Sequence, residues 1–146
     1  MAVLIVLFGG WALFRSLGTL GFAAFDTWHH SLPYARALMF VFTGVAHFNK
    51  TKYELAAMVP GIFPHPLWII YITGVLEFLG AVALLLPHVR FYAAICLMIL
   101  LAAIFSANVK ATLRRLTIRG QRATPLLPRT AMQILFLGLL WWSSRT

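Results

Sequence analysis

The sequence is poor in acidic residues and in charged residues of any kind. Only 3 of its 146 residues are Asp or Glu, against 12 Lys and Arg, and charged residues make up 10% of the chain. A soluble domain carries about 25% charged residues, so this deficit excludes a soluble globular enzyme and a disordered chain. A single cysteine, Cys96, excludes a disulfide scaffold and thiol–disulfide chemistry within one chain. The sequence also has no set of His, Cys, Asp and Glu at metal-ligand spacing, so we predict no metal site.

What the chain does contain is hydrophobic residues, which make up 62% of it. A helix that crosses a membrane needs about 20 mostly apolar residues. Five segments of the sequence meet this description, although Arg15 interrupts the first. They are residues 2–25, 33–50, 66–86, 90–111 and 128–142. The sequence therefore predicts an all-α transmembrane bundle of five helices in a single membrane domain, residues 1–146.

The basic residues predict how these helices are oriented. The segment 112–127 and its flanks, from Lys110 to Arg129, form the richest cluster of Lys and Arg, which the positive-inside rule places in the cytoplasm. The N-terminus and the loop 51–65 then also lie inside, and the C-terminus lies outside. The loop 51–65 either caps the inner mouth of the bundle or is a plain connector. The lone basic residues that do not fit this pattern are Arg36, Arg90 and Arg145.

These features predict a multi-pass protein of the bacterial cytoplasmic membrane. The lipid bilayer is its first partner, and the basic loop 110–129 is expected to attract anionic lipid headgroups, each charge contributing about 1 kcal/mol. Charge alone does not specify nucleic acid, which is not an expected partner.

Polar side chains inside the predicted spans are few, and an ionised one costs about 2.5–3.5 kcal/mol at the bilayer centre. Glu77 lies near the middle of the third span, and His47 lies near the inner end of the second. Two compatible hypotheses remain open for Glu77: a structural ion pair with Arg15, or a proton-accepting catalytic carboxylate in a polar cavity shared with His47. The predicted ligand-binding residues of that cavity are Asn108, Gln133 and Asn49, with polar contact between helices as the alternative role for Asn108 and Gln133.

Several short motifs follow one another from about Arg36 to Trp142. They are Gly44–Phe48, Met58–Pro60 with Phe63–Pro64, Thr73–Ala81, Phe105–Asn108, Leu127–Arg129, Gln133 and Trp141–Trp142. In their order and spacing the sequence resembles the DoxX family of small membrane proteins. The resemblance implies a four-helix core, here with one extra N-terminal helix, and it places His47, Glu77 and Asn108 at recurring polar positions. The sequence departs from the family at Ser106, where a proline is common, and the resemblance does not cover residues 1–35.

The DoxX family includes subunits of redox complexes, among them a thiosulfate–quinone oxidoreductase. Together with the buried ionisable residues, this resemblance favours a redox-associated subunit that binds a quinone or another lipophilic molecule. In that hypothesis Glu77 and His47 handle protons, Asn108 binds a carbonyl, and a redox partner supplies electrons because the chain has no intrinsic cofactor motif. One alternative is a non-catalytic assembly or chaperone-like partner of membrane proteins, suggested by a seam of small residues at Ala103, Ala107 and Ala111. The other is a lipid or small-solute binder, and a homo-oligomer is compatible with all three.

Overall fold

A computed structural model describes residues 2–118, 120–122 and 125–144. Its six α-helices are α1 (Ala2–Thr19), α2 (Trp28–Ala46), α3 (Lys52–Met58), α4 (Pro66–Leu85), α5 (Arg90–Leu113) and α6 (Leu126–Ser144). A 3-10 turn, Ala23–Phe25, precedes α2. Two antiparallel strands of two residues each, β1 (Thr117–Ile118) and β2 (Gln121–Arg122), lie between α5 and α6.

Four of the helices form a ring in which α2 packs on α4, α4 on α5, α5 on α6, and α6 on α2. Each helix runs antiparallel to the next, α1 packs on the outside of α2, and the short α3 packs on α4 and α5 at one end. We call the end that carries Trp28 and Trp142 the tryptophan end, and the end that carries Lys110 and Arg129 the basic end. The prediction of an all-α helical bundle is confirmed.

Three helices, α1, α4 and α5, are long and apolar enough to cross a membrane. This finding fits the membrane protein that the composition predicts. Within the described residues α2 and α6 do not reach the same standard. The first half of α2 carries His29, His30 and Arg36. Length and hydropathy thus establish three candidate spans, fewer than the five predicted.

The first two helices have bounds that differ from the predicted ones. α1 ends at Thr19 rather than near residue 25, because Gly21 takes φ +104°, a left-handed conformation that ends a helix. α2 begins at Trp28 rather than at Pro33, because the side chain of Thr27 accepts a hydrogen bond from the amide of His30 and caps the helix. The later helices α4, α5 and α6 begin and end within two residues of the predicted bounds.

Arg115, two residues after the last residue of α5, is strained, with φ +50°. A residue with a Cβ costs about 1 kcal/mol in this left-handed conformation, which glycine adopts freely. We therefore expect Arg115→Gly to raise the free energy of unfolding by about 1 kcal/mol, measured by thermal unfolding in detergent. Arg114→Gly is the matched control, because Arg114 has φ −88°, and it should be neutral or destabilising. Equal effects of the two substitutions would rule out relief of strain at Arg115.

Candidate functional site

Glu77 lies in α4, faces α2 and is only 4% exposed. Its Oε2 accepts a hydrogen bond of 2.7 Å from the Thr43 hydroxyl. The Nδ1 atom of His47 lies 4.0 Å from the same oxygen. Within the described part of the chain no Lys or Arg lies at ion-pair distance from this carboxylate. Glu77 is thus a buried acid among neutral hydrogen-bonding groups, and Glu77, Thr43 and His47 are called the Glu77 group below.

His47 follows the last residue of α2 and is 8% exposed. Its Nδ1 lies 3.1 Å from the carbonyl oxygen of Thr43, which assigns the proton to Nδ1 as the donor of that hydrogen bond. Gly74 of α4 makes room for the imidazole, since a Cβ at this position would lie 2.6 Å from His47 Cβ. The close approach of α2 and α4 at Gly74 therefore holds His47 beside the carboxylate.

The Glu77 group accommodates both protonation states of the carboxyl. When Glu77 is ionised, the Thr43 hydroxyl donates to it. When Glu77 is protonated, its own O–H donates to Thr43 Oγ1, and Thr43 donates instead to the carbonyl of Met39 or of Phe40, each at 3.2 Å. A proton can thus be gained or lost at Glu77 with only a rotation of one hydroxyl hydrogen.

Aromatic rings cover the seam between α2 and α4 next to His47. The ring of Phe48 lies 5.9 Å from Tyr71 and 5.7 Å from Phe78, centroid to centroid. The ammonium of Lys52 in α3 donates a 2.8 Å hydrogen bond to the Tyr71 hydroxyl. Because this bond stabilises the charged amine, it raises the pKa of Lys52. The seam therefore presents aromatic faces and one cation at the basic end.

Arg15 does not reach Glu77. Its guanidinium lies over the ring of Trp28, 5.9 Å from the centroid. Trp28 and Thr43 are separated by fifteen residues of α2, about 22 Å at 1.5 Å per residue, so Arg15 and Glu77 belong to different levels of the bundle. The predicted structural ion pair of Arg15 and Glu77 is therefore wrong.

The three residues predicted to bind a ligand make other contacts. Asn49 is exposed, and its Oδ1 accepts a 2.8 Å hydrogen bond from the amide of Thr51 in the turn before α3. Asn108 accepts a hydrogen bond from Arg129 between α5 and α6. The Nε2 atom of Gln133 is buried and has no hydrogen-bond partner among the described residues. The structure shows none of the three in hydrogen-bonded contact with the Glu77 group.

A family model described as Domain of unknown function (DUF8561) matches residues 36–144. The chain belongs to the DUF8561 family. Searches of curated proteins and of solved structures found no match. The resemblance to DoxX is therefore wrong. Most of its motifs combine small and aromatic residues on apolar helices, which are general features of membrane bundles, and α5 runs unbroken through Ser106.

The DUF8561 match begins at Arg36. The sequence prediction did not place Arg36 in the interior of the bundle. Arg36 is 1% exposed, and its Nη1 donates to the carbonyls of Leu139 and Leu140 in α6, at 3.1 and 3.4 Å. A lone arginine near a predicted helix start is typical of a solvated flank. The signal that identifies it as interior is its spacing of seven residues from His29 and from Thr43, which places all three on one face of α2.

The DUF8561 region also contains an apolar groove of about 340 Å³ between α4 and α5. Leu76, which directly precedes Glu77, lies in its wall, so the groove follows the face of α4 next to the one that carries the carboxylate. The groove is lined by Leu76, Leu79, Gly80, Ala83, Val89, Tyr92, Ala93, Cys96, Leu97 and Leu100. Its chemistry suits a hydrocarbon chain rather than a polar solute. Among the described residues no three His, Cys, Asp or Glu side chains are grouped to hold a metal ion.

Proposed function

We propose that this DUF8561 protein is a redox-associated membrane subunit that binds a lipophilic molecule of the quinone class and exchanges protons with it through Glu77 and His47. The observation that carries the proposal is the buried Glu77 carboxylate, hydrogen-bonded to Thr43, 4.0 Å from His47 and without a cationic partner in the described chain. An acid in hydrocarbon is costly and is therefore a functional candidate by default. Pairing with Arg15 does not account for the acid, because the guanidinium of Arg15 lies over the ring of Trp28.

A quinone matches the chemistry of the Glu77 group. Reduction of a quinone to a quinol takes up two electrons and two protons. Glu77 and His47 are both able to bind and release a proton, and His47, at the end of α2, lies on the basic-end side of Glu77. The electrons come, in this proposal, from a partner redox protein. The apolar groove between α4 and α5 supports the lipophilic part of the ligand, since its walls suit an isoprenoid tail.

For the bilayer we propose five spans, α1, α2, α4, α5 and α6, in the cytoplasmic membrane of a bacterium. α2 and α6 contain 19 residues each, about 28 Å of helix, which is close to the ~30 Å of a hydrocarbon core. The basic end lies in the cytoplasm in this arrangement, because it collects the Lys and Arg residues of segment 110–129. The N-terminus is then inside, and the C-terminus is outside.

Binding of decylubiquinone to the purified full-length protein tests the proposal. The five tryptophans provide the signal, since a bound quinone quenches their fluorescence. We expect saturable quenching by the wild-type protein, because the protonated carboxyl of Glu77 donates a hydrogen bond to a quinone carbonyl. Glu77→Leu has no donor and should bind about tenfold more weakly, which corresponds to about 1.4 kcal/mol, the upper part of the range for one hydrogen bond. Asp26→Asn is the control, because Asp26 is exposed and pairs with His30 at 2.6 Å, away from Glu77.

An infrared difference spectrum on quinol binding gives a second readout. The proposal predicts a carboxyl band that changes on binding and is lost in Glu77→Gln but retained in Asp26→Asn. Absence of saturable quenching in the wild-type protein, or equal affinity of the wild-type and Glu77→Leu proteins, contradicts the proposal. That outcome would favour the assembly-partner alternative.

A further inference from the structure

A second group of buried polar atoms lies toward the tryptophan end, away from the Glu77 group. The Nε and Nη2 atoms of Arg36 are buried and have no hydrogen-bond partner among the described residues. By covalent geometry these two nitrogens lie on one edge of the planar guanidinium. That edge is the fork that binds two oxygens of a carboxylate or phosphate side by side. The protein thus satisfies Nη1 with the two carbonyls of α6, whereas the anion-binding edge is buried without a partner among the described residues.

Among the described residues, no acidic side chain pairs with Arg36. Of the three acids in the sequence, Asp26 pairs with His30, and Glu77 bonds to Thr43. Glu54 lies on α3, at the basic end. Arg90 adds a second positive charge, since it acts electrostatically on Arg36 while its Nε donates to the carbonyl of Leu84 at 2.9 Å. A second positive charge therefore acts on Arg36 at this end, and a buried charge without a counterion is strongly unfavourable.

His29 lies between the tryptophan end and Arg36 on α2. It lies seven residues earlier on the same face of α2, its Nδ1 is also buried without a partner in the described chain, and its ring stacks on Trp142 at 5.3 Å. Arg36 lies eight residues into α2, about 12 Å along the helix. In a bilayer that depth is within reach of a headgroup, because long basic side chains and headgroup phosphates approach each other near the interface.

We propose that Arg36 binds an oxyanion of the phosphate class between α2 and α6 at the tryptophan end, with His29 at the entrance. The anion is carried either by the headgroup of an anionic phospholipid or by free phosphate. The Nε–H and Nη2–H groups of Arg36 donate to two of its oxygens, and its negative charge neutralises the Arg36 guanidinium. This site is independent of quinone binding at Glu77.

Two probes distinguish the sources of the anion, and both are applied to the full-length protein in an uncharged detergent. Native mass spectrometry compares the affinities of dioleoylphosphatidylglycerol and dioleoylphosphatidylcholine for the tightest lipid site. The salt concentration is 0.15 M, at which exposed charges are largely screened. Thermal unfolding in sodium phosphate, compared with sodium chloride at equal ionic strength, measures the binding of free phosphate. If the protein prefers phosphatidylglycerol and phosphate does not raise its unfolding temperature, the bound anion is a lipid headgroup. If phosphate raises the unfolding temperature, the bound anion is free phosphate.

For whichever probe binds, we expect Arg36→Gln to weaken binding about tenfold, as for a lost charge-assisted bidentate contact. Arg36→Lys keeps the charge but loses the fork, so it should fall between the wild type and Arg36→Gln. Arg15→Gln removes one charge from the same end of the bundle and should change binding less than about twofold. If Arg36→Gln does not fold, the wild type and Arg36→Lys decide the question. Binding of neither probe by the wild type, or wild-type affinity in Arg36→Lys, overturns the proposal.

Discussion

Gly74→Ala is expected to lower the free energy of unfolding by about 3 kcal/mol, the upper part of the range for overpacking a close contact. The added Cβ would lie 2.6 Å from His47 Cβ and 2.8 Å from the ring of Phe48. The Cβ of His47 is fixed to the backbone, so rotation of a side chain cannot relieve the clash and α2 must move away from α4. Thermal unfolding in detergent, followed by circular dichroism, measures the loss.

Gly138→Ala is the matched control for this prediction. Gly138 lies in α6, and a Cβ there would meet no atom within 4 Å. Because alanine favours the helix over glycine, this substitution should stabilise the protein by about 0.5–1 kcal/mol. If the two alanine variants unfold at the same temperature, α2 and α4 are not in close contact at Gly74, and the position of His47 beside Glu77 loses its basis.

Thr43→Val is expected to destabilise the protein by about 1–3 kcal/mol. Valine has nearly the shape of threonine but cannot donate the 2.7 Å hydrogen bond to Glu77. The carboxyl is then left buried without its donor, and the full cost of desolvating it appears in the free energy of unfolding. Protonated Glu77 donates its hydrogen bond to the Thr43 hydroxyl, and valine cannot accept it. Quinone binding should therefore weaken in the same variant.

Thr73→Val in α4 provides the comparison for Thr43. Within the described part of the chain the Thr73 hydroxyl bonds only to carbonyls of its own helix, Ile69 at 2.9 Å and Ile70 at 3.0 Å. Its replacement should change the free energy of unfolding by no more than about 0.5 kcal/mol. In Glu77→Leu the buried acid is gone. Adding Thr43→Val to that variant should therefore lower the free energy of unfolding much less than it does in the wild-type protein. If Thr43→Val costs as much free energy of unfolding in Glu77→Leu as in the wild-type protein, the hydrogen bond between Thr43 and Glu77 is contradicted.

The helices of the bundle follow from patterns that can be recognised along the chain. Pro66 at the first position of α4 and the turn at residues 86–89 set the ends of the most apolar helices, and the observed bounds lie within two residues of the predicted ones. The start of α2 was missed because the cap at Thr27 is a local hydrogen bond, whereas Pro33 resembles a first-turn proline but lies inside the helix.

The candidate site is less accessible to sequence reasoning than the fold. The cost of burial singles out Glu77 and His47 individually. The distance between them depends on the register between α2 and α4. Close packing at Gly74 sets this register, and the number of residues between His47 and Glu77 does not reveal it. Asn108 illustrates the limit, since a polar residue near a helix end predicts a hydrogen bond without predicting that Arg129 is the partner.

The central claim is that α2 and α4 bring His47 and Glu77 together inside the bundle. Rotational-echo double-resonance NMR of the protein in lipid bilayers, with ¹³C-labelled glutamate and ¹⁵N-labelled histidine, measures this directly, and Glu77→Gln assigns the signal. Oε2 of Glu77 lies 4.0 Å from Nδ1 of His47, and the C–O bond adds about 1.2 Å. We predict clear dephasing of the Glu77 carboxyl, with a carbon–nitrogen distance of no more than about 5 Å. A Glu77 signal that shows no dephasing by any histidine nitrogen would contradict the account.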